Sequence, residues 1–401
     1  MAWPLVRVGD VAEQIRGVTF GKSEASSAPA PDLIPVFTAT NITERGLALE
    51  SVLHIPKERV SPRQKLRKND LVVTASSGSL SVVGRAAIVR DPLDATFGAF
   101  CKVLRPSVAV DPNYFAHFFR TPTYRSRVAR LAAGANINNL RNEDLDGMEL
   151  PLPPLPEQRR IASILDDSGD LRARRREVAD RLVMTAESLF RKSFGELSGN
   201  EKGWDDSLVL SDVAEVVSGI TKGRRTNLQK REVPYLTVAN VQDQALRLGA
   251  VKGIEATEAE IQRYRLQSGD LLLTEGGDPD KLGRGALWRG ELPECIHQNH
   301  VFRVRILDRS RIHPVYLSWL VSSRYGKRYF LGVAKQTTGI ASINSRQLKA
   351  FPLLTPPIAI QEEFAARIAE IEALRERNSA HLAKLDELFA SLQHRAFRGE
   401  L

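Results

Sequence analysis

Apolar residues between Pro156 and Lys192 recur every seven positions. Ile164, Leu171 and Val178 form one row, and Ile161, Leu182 and Leu189 form a second row three residues out of step. So narrow a stripe on a charged background is the seam of a coiled coil, not the broad face of a core helix. It predicts a helix roughly 55 Å long, which needs a partner helix. The chain supplies one between Ile360 and Ala396. There Phe364, Ile371, Asn378, Leu385 and Leu392 again fall every seven residues, flanked by Ile368, Leu374, Leu382 and Leu388. Asn378 sits mid-seam, where a buried amide fixes register at a cost in stability.

Elsewhere the pattern changes to short β-rich runs: LVVTA (71–75), LLLTE (271–275) and HVFRVRIL (300–307). Gly, Ser, Asp and Pro clusters separate them. A helical segment follows in each region, from Pro112 to Leu131 and from Pro314 to Leu331. The Pro-rich stretches PLPPLPEQ (151–158) and PLLTPPIAIQ (352–361) close each region, because a residue before proline resists helix. Pro156 suits the first turn of the long helix.

These segments repeat with an offset of about 200 residues. Val11-Ala12-Glu13 returns as Val213-Ala214-Glu215, and Asn41-Ile42 returns as Asn240-Val241. Asn69-Asp70-Leu71 returns as Gly269-Asp270-Leu271, and Gly84-Arg85 as Gly283-Arg284. Ile137-Asn138 returns as Ile343-Asn344, and Pro153-Pro154 with Gln158 as Pro356-Pro357 with Gln361. The chain therefore reads as a duplicated globule-plus-helix. The expected fold is α+β, with two tandem mixed α/β domains separated by a pair of long antiparallel coiled-coil helices in pseudo-two-fold arrangement. The expected segments are residues 1–152 (first globule), 153–197 (first long helix), 198–355 (second globule) and 356–401 (second long helix). Strand order within a globule does not follow from the sequence.

Charge adds one element. Lys plus Arg number 57 against 48 Asp plus Glu, a net charge of +9, which favours a polyanionic partner. Neither an apolar leader segment nor a run of about 18 apolar residues occurs. Two cysteines, Cys101 and Cys295, cannot build a disulfide framework. A reduced, cytoplasmic protein is expected.

The order globule–helix–globule–helix carries PLPPLPEQRRIASIL at the first junction, GDLLLTEGG in the second globule and LFASLQHRAFRGEL at the C-terminal end. Over the whole chain this resembles the specificity (S) subunit of Type I restriction-modification enzymes. The resemblance implies double-stranded DNA as ligand, with two target-recognition domains that each read half of a split site and helices that act as a ruler. It implies two modification subunits as partners, which bind S-adenosylmethionine and methylate adenine, and restriction subunits that use ATP and Mg where these exist. The S subunit itself has no catalytic residues and no cofactor or metal of its own. Two other readings are an architectural coiled-coil DNA-binding protein without base readout, and the specificity subunit of a methylation-only system.

The two globules diverge in their loops, which predicts an asymmetric target. TASSGSLSVV (74–83) stands opposite TEGGDPDKLG (274–283), and TFGAF (96–100) opposite HQNHV (297–301). Candidate DNA-binding residues in the first globule are Thr19, Lys22, Asn41, Ser76, Ser77, Ser79, Arg85, Asn136, Asn138 and Asn139. In the second they are Thr221, Lys222, Arg224, Arg225, Asn240, Asp278, Lys281 and Arg284, then His297, Gln298, Asn299, Gln336, Thr337, Thr338, Ser342 and Asn344. Asn and Gln pair bidentately with adenine, hydroxyls reach base or phosphate, and Lys and Arg meet phosphates. Gly17 and Gly219 suit a close backbone approach to phosphate, or an ordinary turn. The run Arg172, Arg174, Arg175 and Arg176 suits spacer DNA, an acidic partner face or a solvated helix face.

Three sharper readings are outweighed. Asp111-Pro112-Asn113-Tyr114 is superficially similar to a methyltransferase D-P-P-Y motif, but a proline-initiated helix explains both it and its repeat His313-Pro314-Val315-Tyr316. Cys295, His297 and His300 lack a fourth zinc ligand, and the first globule has none of them. Gly276-Gly277 followed by Lys281 has the wrong spacing for a P-loop.

Overall fold

The computed structural model describes residues 3–44, 46–132, 138–223, 228–278, 282–337 and 340–401. The fold is α+β, with two long helices, Leu155–Phe194 and Ile358–Ala396. The chain divides into two compact units, Met1–Glu177 with Ser379–Leu401, and Val178–Asn378. Each unit thus contains one globule and part of both long helices.

In the first unit, strands Ala12–Arg16, Cys101–Pro106, Leu71–Thr74 and Ala86–Ile88 form an antiparallel sheet in that spatial order. A second sheet places Leu33–Phe37 between Thr96–Phe97 and Leu53–Pro56. The second unit repeats both orders: Ala214–Ser218, Val301–Ile306, Leu271–Thr274 and Gly285–Leu287, then Arg231–Leu236 between Ile296–His297 and Lys252–Ala256.

The central strands are buried on both faces, so their apolar runs are unbroken. Alternation still sorts them. Leu71 and Val73 join the core that holds Tyr114, Phe115 and Phe119, whereas Val72 and Val103 face Phe37 and Phe97. Leu271 and Leu273 likewise face Tyr316 and Leu320, whereas Leu272 joins Leu236 and Trp288. Two residues before each central strand the chain turns through positive φ, at Asn69 with 74° and at Gly269 with 94°. Next to it a buried aspartate accepts a bidentate arginine pair: Asp70 with Arg105 at 2.8 Å, and Asp270 with Arg305 at 2.7 Å.

The long helices begin inside these cores. Ile161, Ala162 and Leu165 pack in the first unit with Phe389 and Ala396 of the second helix and with Phe397 just beyond it. Phe190 and Phe194 pack in the second unit against Phe364, with ring centroids 5.5 and 5.1 Å apart. Within the first unit the helices run antiparallel, since Arg160 bonds the Leu401 carbonyl while Arg172 bonds Asp386.

A glutamine in the first turn of each helix ties it to its globule. Gln158 Oε1 accepts the Asp111 amide at 2.8 Å, and its Nε2 donates to the Pro153 and Ala109 carbonyls. Gln361 does the same with the His313 amide and the Pro356 and Arg311 carbonyls. Asp111 and His313 cap the helices that follow them, so the Asp-Pro-Asn-Tyr stretch is a helix start.

Several expectations are corrected. In the first helix the inward positions are Ile161, Leu165, Ser168, Ala186, Phe190 and Phe194, while Leu171 and Val178 are exposed. The 3.6-residue period of a helix that enters a globular core drifts away from a strict seven-residue row. The second helix keeps its row: Phe364 and Asn378 are buried, and Ile371, Leu385 and Leu392 half-buried. The repeat match of Ile137-Asn138 to Ile343-Asn344 is out of register. Leu140 and Ile343 are the equivalent residues, donating to the Ala75 and Glu275 carbonyls.

Three candidate readers lie inside the fold. Asn41 accepts the Thr38 amide and donates to the Ala48 and Glu50 carbonyls; Asn240 does so with Thr237, Arg247 and Ala250. Both amides thus close a turn and reach no surface. His297 is fully buried, with Nδ1 2.8 Å from the Val301 carbonyl. Burial, the largest cause, pushes its pKa down to about 4.

Two outcomes are expected. Gln158→Ala and Gln361→Ala each leave a partly buried amide and carbonyls without their partner, at a cost of about 2 kcal/mol in urea unfolding; a loss below about 1 kcal/mol would refute the anchoring role. For His297 the folded pKa lies below the unfolded value, so the unfolded state binds more protons between about pH 6.5 and 4. Stability therefore falls as pH drops through that window, by on the order of 3 kcal/mol from this group. His297→Phe should flatten that part of the profile relative to wild type, and an unchanged slope would contradict a neutral buried imidazole.

Candidate nucleic-acid interface

Four loop segments converge in each unit, joined by backbone hydrogen bonds. In the first unit, Ser76–Ser77 pairs antiparallel with Asn138–Asn139. The Phe100 carbonyl accepts the Ala75 and Ser76 amides at 2.8 and 3.1 Å, and Val18 donates to the Phe97 carbonyl. This places Thr19 and Lys22, both exposed, on the loop that leads away from the 97–100 turn. Beneath the ribbon, the buried Lys102 Nζ donates to the Leu140 carbonyl at 2.8 Å. Burial, its largest influence, pushes that ammonium's pKa down to about 8.

The second unit builds the same crossing from other residues. Gly276–Gly277 pairs with Ile340–Ser342, which pairs in turn with Lys335–Thr337. Glu275 donates its amide to the His300 carbonyl, and Ile220 donates to that of His297. Thr221 and Lys222 are exposed beyond this contact, with the Lys222 ammonium 5.8 Å from the Tyr235 ring centroid.

Gly17 and Gly219 have a structural use. A Cβ on Gly17 would collide with the Gly98 carbonyl, and one on Gly219 with the His297 carbonyl. The close approach is therefore between two segments of the protein, and it seats the loop on the turn.

The remaining candidates fall into distinct places. Ser79 and Asp278 are exposed, and Ser76, Ser77, Ser342, Gln298 and Asn299 half-buried at the crossing. Asn139 is exposed on the ribbon; Asn138, Gln336 and Thr337 are placed there by strand pairing. Arg85 Nε donates to the Ser81 carbonyl, and Arg284 to Gln242 Oε1 at 3.2 Å, so each pins the end of its loop. Asn344 is exposed, and its Oδ1 caps the helix Ser345–Lys349 by accepting the Gln347 amide. Asn136, Arg224, Arg225, Lys281 and Thr338 lie outside the described residues.

In the arginine run, Arg172 and Arg176 both pair with Asp386, and Arg172 stacks 4.3 Å over the Phe389 ring. These two therefore serve helix packing in the first unit, whereas Arg174 is exposed. Sequence reasoning missed Phe100, which is 65% exposed, and Lys102; it offered His300 as a polar reader or a packed strand residue, but not its pairing through Nδ1 with Glu275 Oε2 at 2.6 Å. The divergence of residues 96–100 from 297–301 was the available signal.

The described residues contain no group of three or more His, Cys, Asp or Glu able to hold a metal ion. Both thiols are buried, and burial pushes each pKa up to about 12. No helix among the described residues is long and apolar enough to cross a membrane. What the crossings present is a polar surface of hydroxyl, amide and ammonium groups on rigid strand ends, which suits hydrogen bonding to a polyanion and its base edges.

Comparison with known proteins agrees. The Type I restriction modification DNA specificity domain matches residues 2–178 and again residues 201–386. The chain is similar over its full length to the Type I restriction enzyme StySPI specificity subunit of Salmonella potsdam, at 29% identity, covering 89% of that protein. It is equally similar to the EcoKI specificity subunit of Escherichia coli K12, at 29% identity and 89% coverage. In fold it is similar to the S subunit of a Type I restriction-modification system from M. genitalium, with TM-score 0.55 and 13% identity, covering 98% of this chain and 96% of that one. A chain from a structure of complex assembly in the type I R-M system gives TM-score 0.54 at 16% identity, covering 100% and 98%. With two matched domains that together take in most of its residues, the chain belongs to the Type I restriction-modification DNA specificity family.

Proposed function

We propose that this chain is the DNA sequence-specificity subunit of a Type I restriction-modification enzyme, and that each unit reads one half of a split, asymmetric site. The observation that carries this reading is the paired loop crossing. Both units build it at the same place on the same sheet, yet Ser76, Ser77 and Phe100 stand where the other unit has Gly276, Gly277 and His300. One scaffold with two chemistries is what two different half-sites require. The net charge of +9 adds the sequence-independent attraction to phosphate.

The chain itself is non-catalytic in this reading. Two modification subunits bind S-adenosylmethionine and methylate adenine, and restriction subunits add ATP- and Mg-dependent cleavage where present. Support for two docking places comes from exposed apolar side chains on the long helices of each unit: Leu171 and Leu388 in one, Val178, Met184 and Leu374 in the other. Apolar side chains gathered on one exposed face suit a protein contact, whereas single ones are ordinary on any surface.

The helices are read as the ruler between half-sites, since each continues unbroken across the unit boundary. The test inserts seven residues after Glu177 and seven after Asn378, which keeps both seams in phase. That lengthens each helix by about 10 Å, or roughly three base pairs at 3.4 Å each. Methylation mapping in host cells should show the spacer grow by about three base pairs with the half-sites unchanged. Altered half-sites with a fixed spacer would refute the ruler. The purified chain supplied with S-adenosylmethionine and target duplex should transfer no methyl group, and full activity should return when modification subunits are added. Sustained turnover by the chain alone would overturn the non-catalytic assignment.

A further inference from the structure

The residue just before strand Cys101–Pro106 and the one just before Val301–Ile306 are exposed at the same post in the two units. In the first unit it is Phe100, 65% exposed, and in the second it is His300, with its side chain 56% exposed. The backbone beneath is held rigidly in each, because the carbonyls of Phe100 and His300 accept the amides of Ala75 and Glu275 at 2.8 and 3.0 Å. That pinning uses the carbonyl alone and makes no demand on the side chain. A phenyl ring kept in water forgoes the stabilisation it would gain by burial, yet here it stands beside a polar ribbon, with Asn139 exposed and Ser76 half-buried. In the second unit the post is polar: His300 Nδ1 lies 2.6 Å from Glu275 Oε2, and Nε2 lies 3.3 Å from Asn299 Nδ2.

An A·T pair shows, in the major groove, an acceptor and a donor on adenine, then an acceptor and the C5 methyl on thymine. Amide and hydroxyl side chains complement the first three, and an apolar ring complements the methyl. We infer that Phe100 is a specificity-determining residue that packs against a thymine methyl in the half-site read by the first unit. His300 fills the equivalent post with a polar contact, so the two half-sites differ at this position. The inference rests on the DNA-reading assignment above and names the group that the first unit recognises.

The test uses the full chain assembled with its modification subunits, after the target has been mapped by methylation. Each thymine of the first half-site is replaced in turn by deoxyuridine, which removes only the methyl. Wild type should lose roughly fourfold to tenfold in affinity at one position. Phe100→Asn should bind the thymine duplex weaker by a similar factor and should not distinguish it from the deoxyuridine duplex. Phe100→Leu, which keeps an apolar contact, should retain part of the discrimination. Affinity for variants of the second half-site should be unchanged in both mutants, which also shows that they are folded. The inference is overturned if the first half-site holds no thymine on either strand, if no deoxyuridine substitution weakens wild type, or if Phe100→Asn keeps the wild-type discrimination. Failure of the DNA-reading assignment has a different signature: the wild-type complex would then bind target and scrambled duplex alike.

Discussion

Everything in this molecule depends on the junction at which each long helix leaves its globule. A helix start has orphan amides and a globule edge has orphan carbonyls, and neither tolerates burial unpaired. One glutamine in the first turn resolves part of both deficits. Gln158 and Gln361 each accept an amide from the loop before a domain helix and donate to two carbonyls. Both glutamine side chains are buried, so their bonds are shielded from exchange with water, and the direction of the helix is tied to the globule. Tyr114 and Tyr316 reinforce this lock by donating to the Pro151 and Leu354 carbonyls.

Rigidity passes from the junction to the loops through the central sheet. The Asp70–Arg105 and Asp270–Arg305 pairs clamp the start of each central strand, while the far end of that strand leads into the loop ribbon. Gly84 and Gly283, both near φ 74°, turn the loop tightly enough for Val128 and Phe330 to close over it. The loop ends are therefore fixed by buried packing and backbone bonds, and only the residues between those anchors vary. A surface built this way changes without altering the core beneath it, as the divergent loops of the two units do.

The buried polar groups show why some sequence-level candidates were misplaced. Asn41 and Asn240 have the chemistry to read adenine, but a turn with unsatisfied amides and carbonyls captures them first. His297 stands three residues before the exposed His300 and yet is fully buried, with its Nδ1 held 2.8 Å from the Val301 carbonyl. Side-chain type states what a residue is able to bond. Burial decides which bond it makes.

The sequence by itself determined the duplication, the two long helices, the Pro-rich junctions and the family resemblance, because these rest on periodicity and on spacing along the chain. It also located the loops in which the two repeats diverge. Only the tertiary structure decided the strand order, the inward face of the first helix, the correct register of Leu140 with Ile343, and the prominence of Phe100 and His300. The physical reason is that these depend on long-range contacts. A β-ladder between residues 76–77 and 138–139, or a phenyl ring lifted into water by a carbonyl pinned from residue 75, leaves no periodic trace in the local sequence.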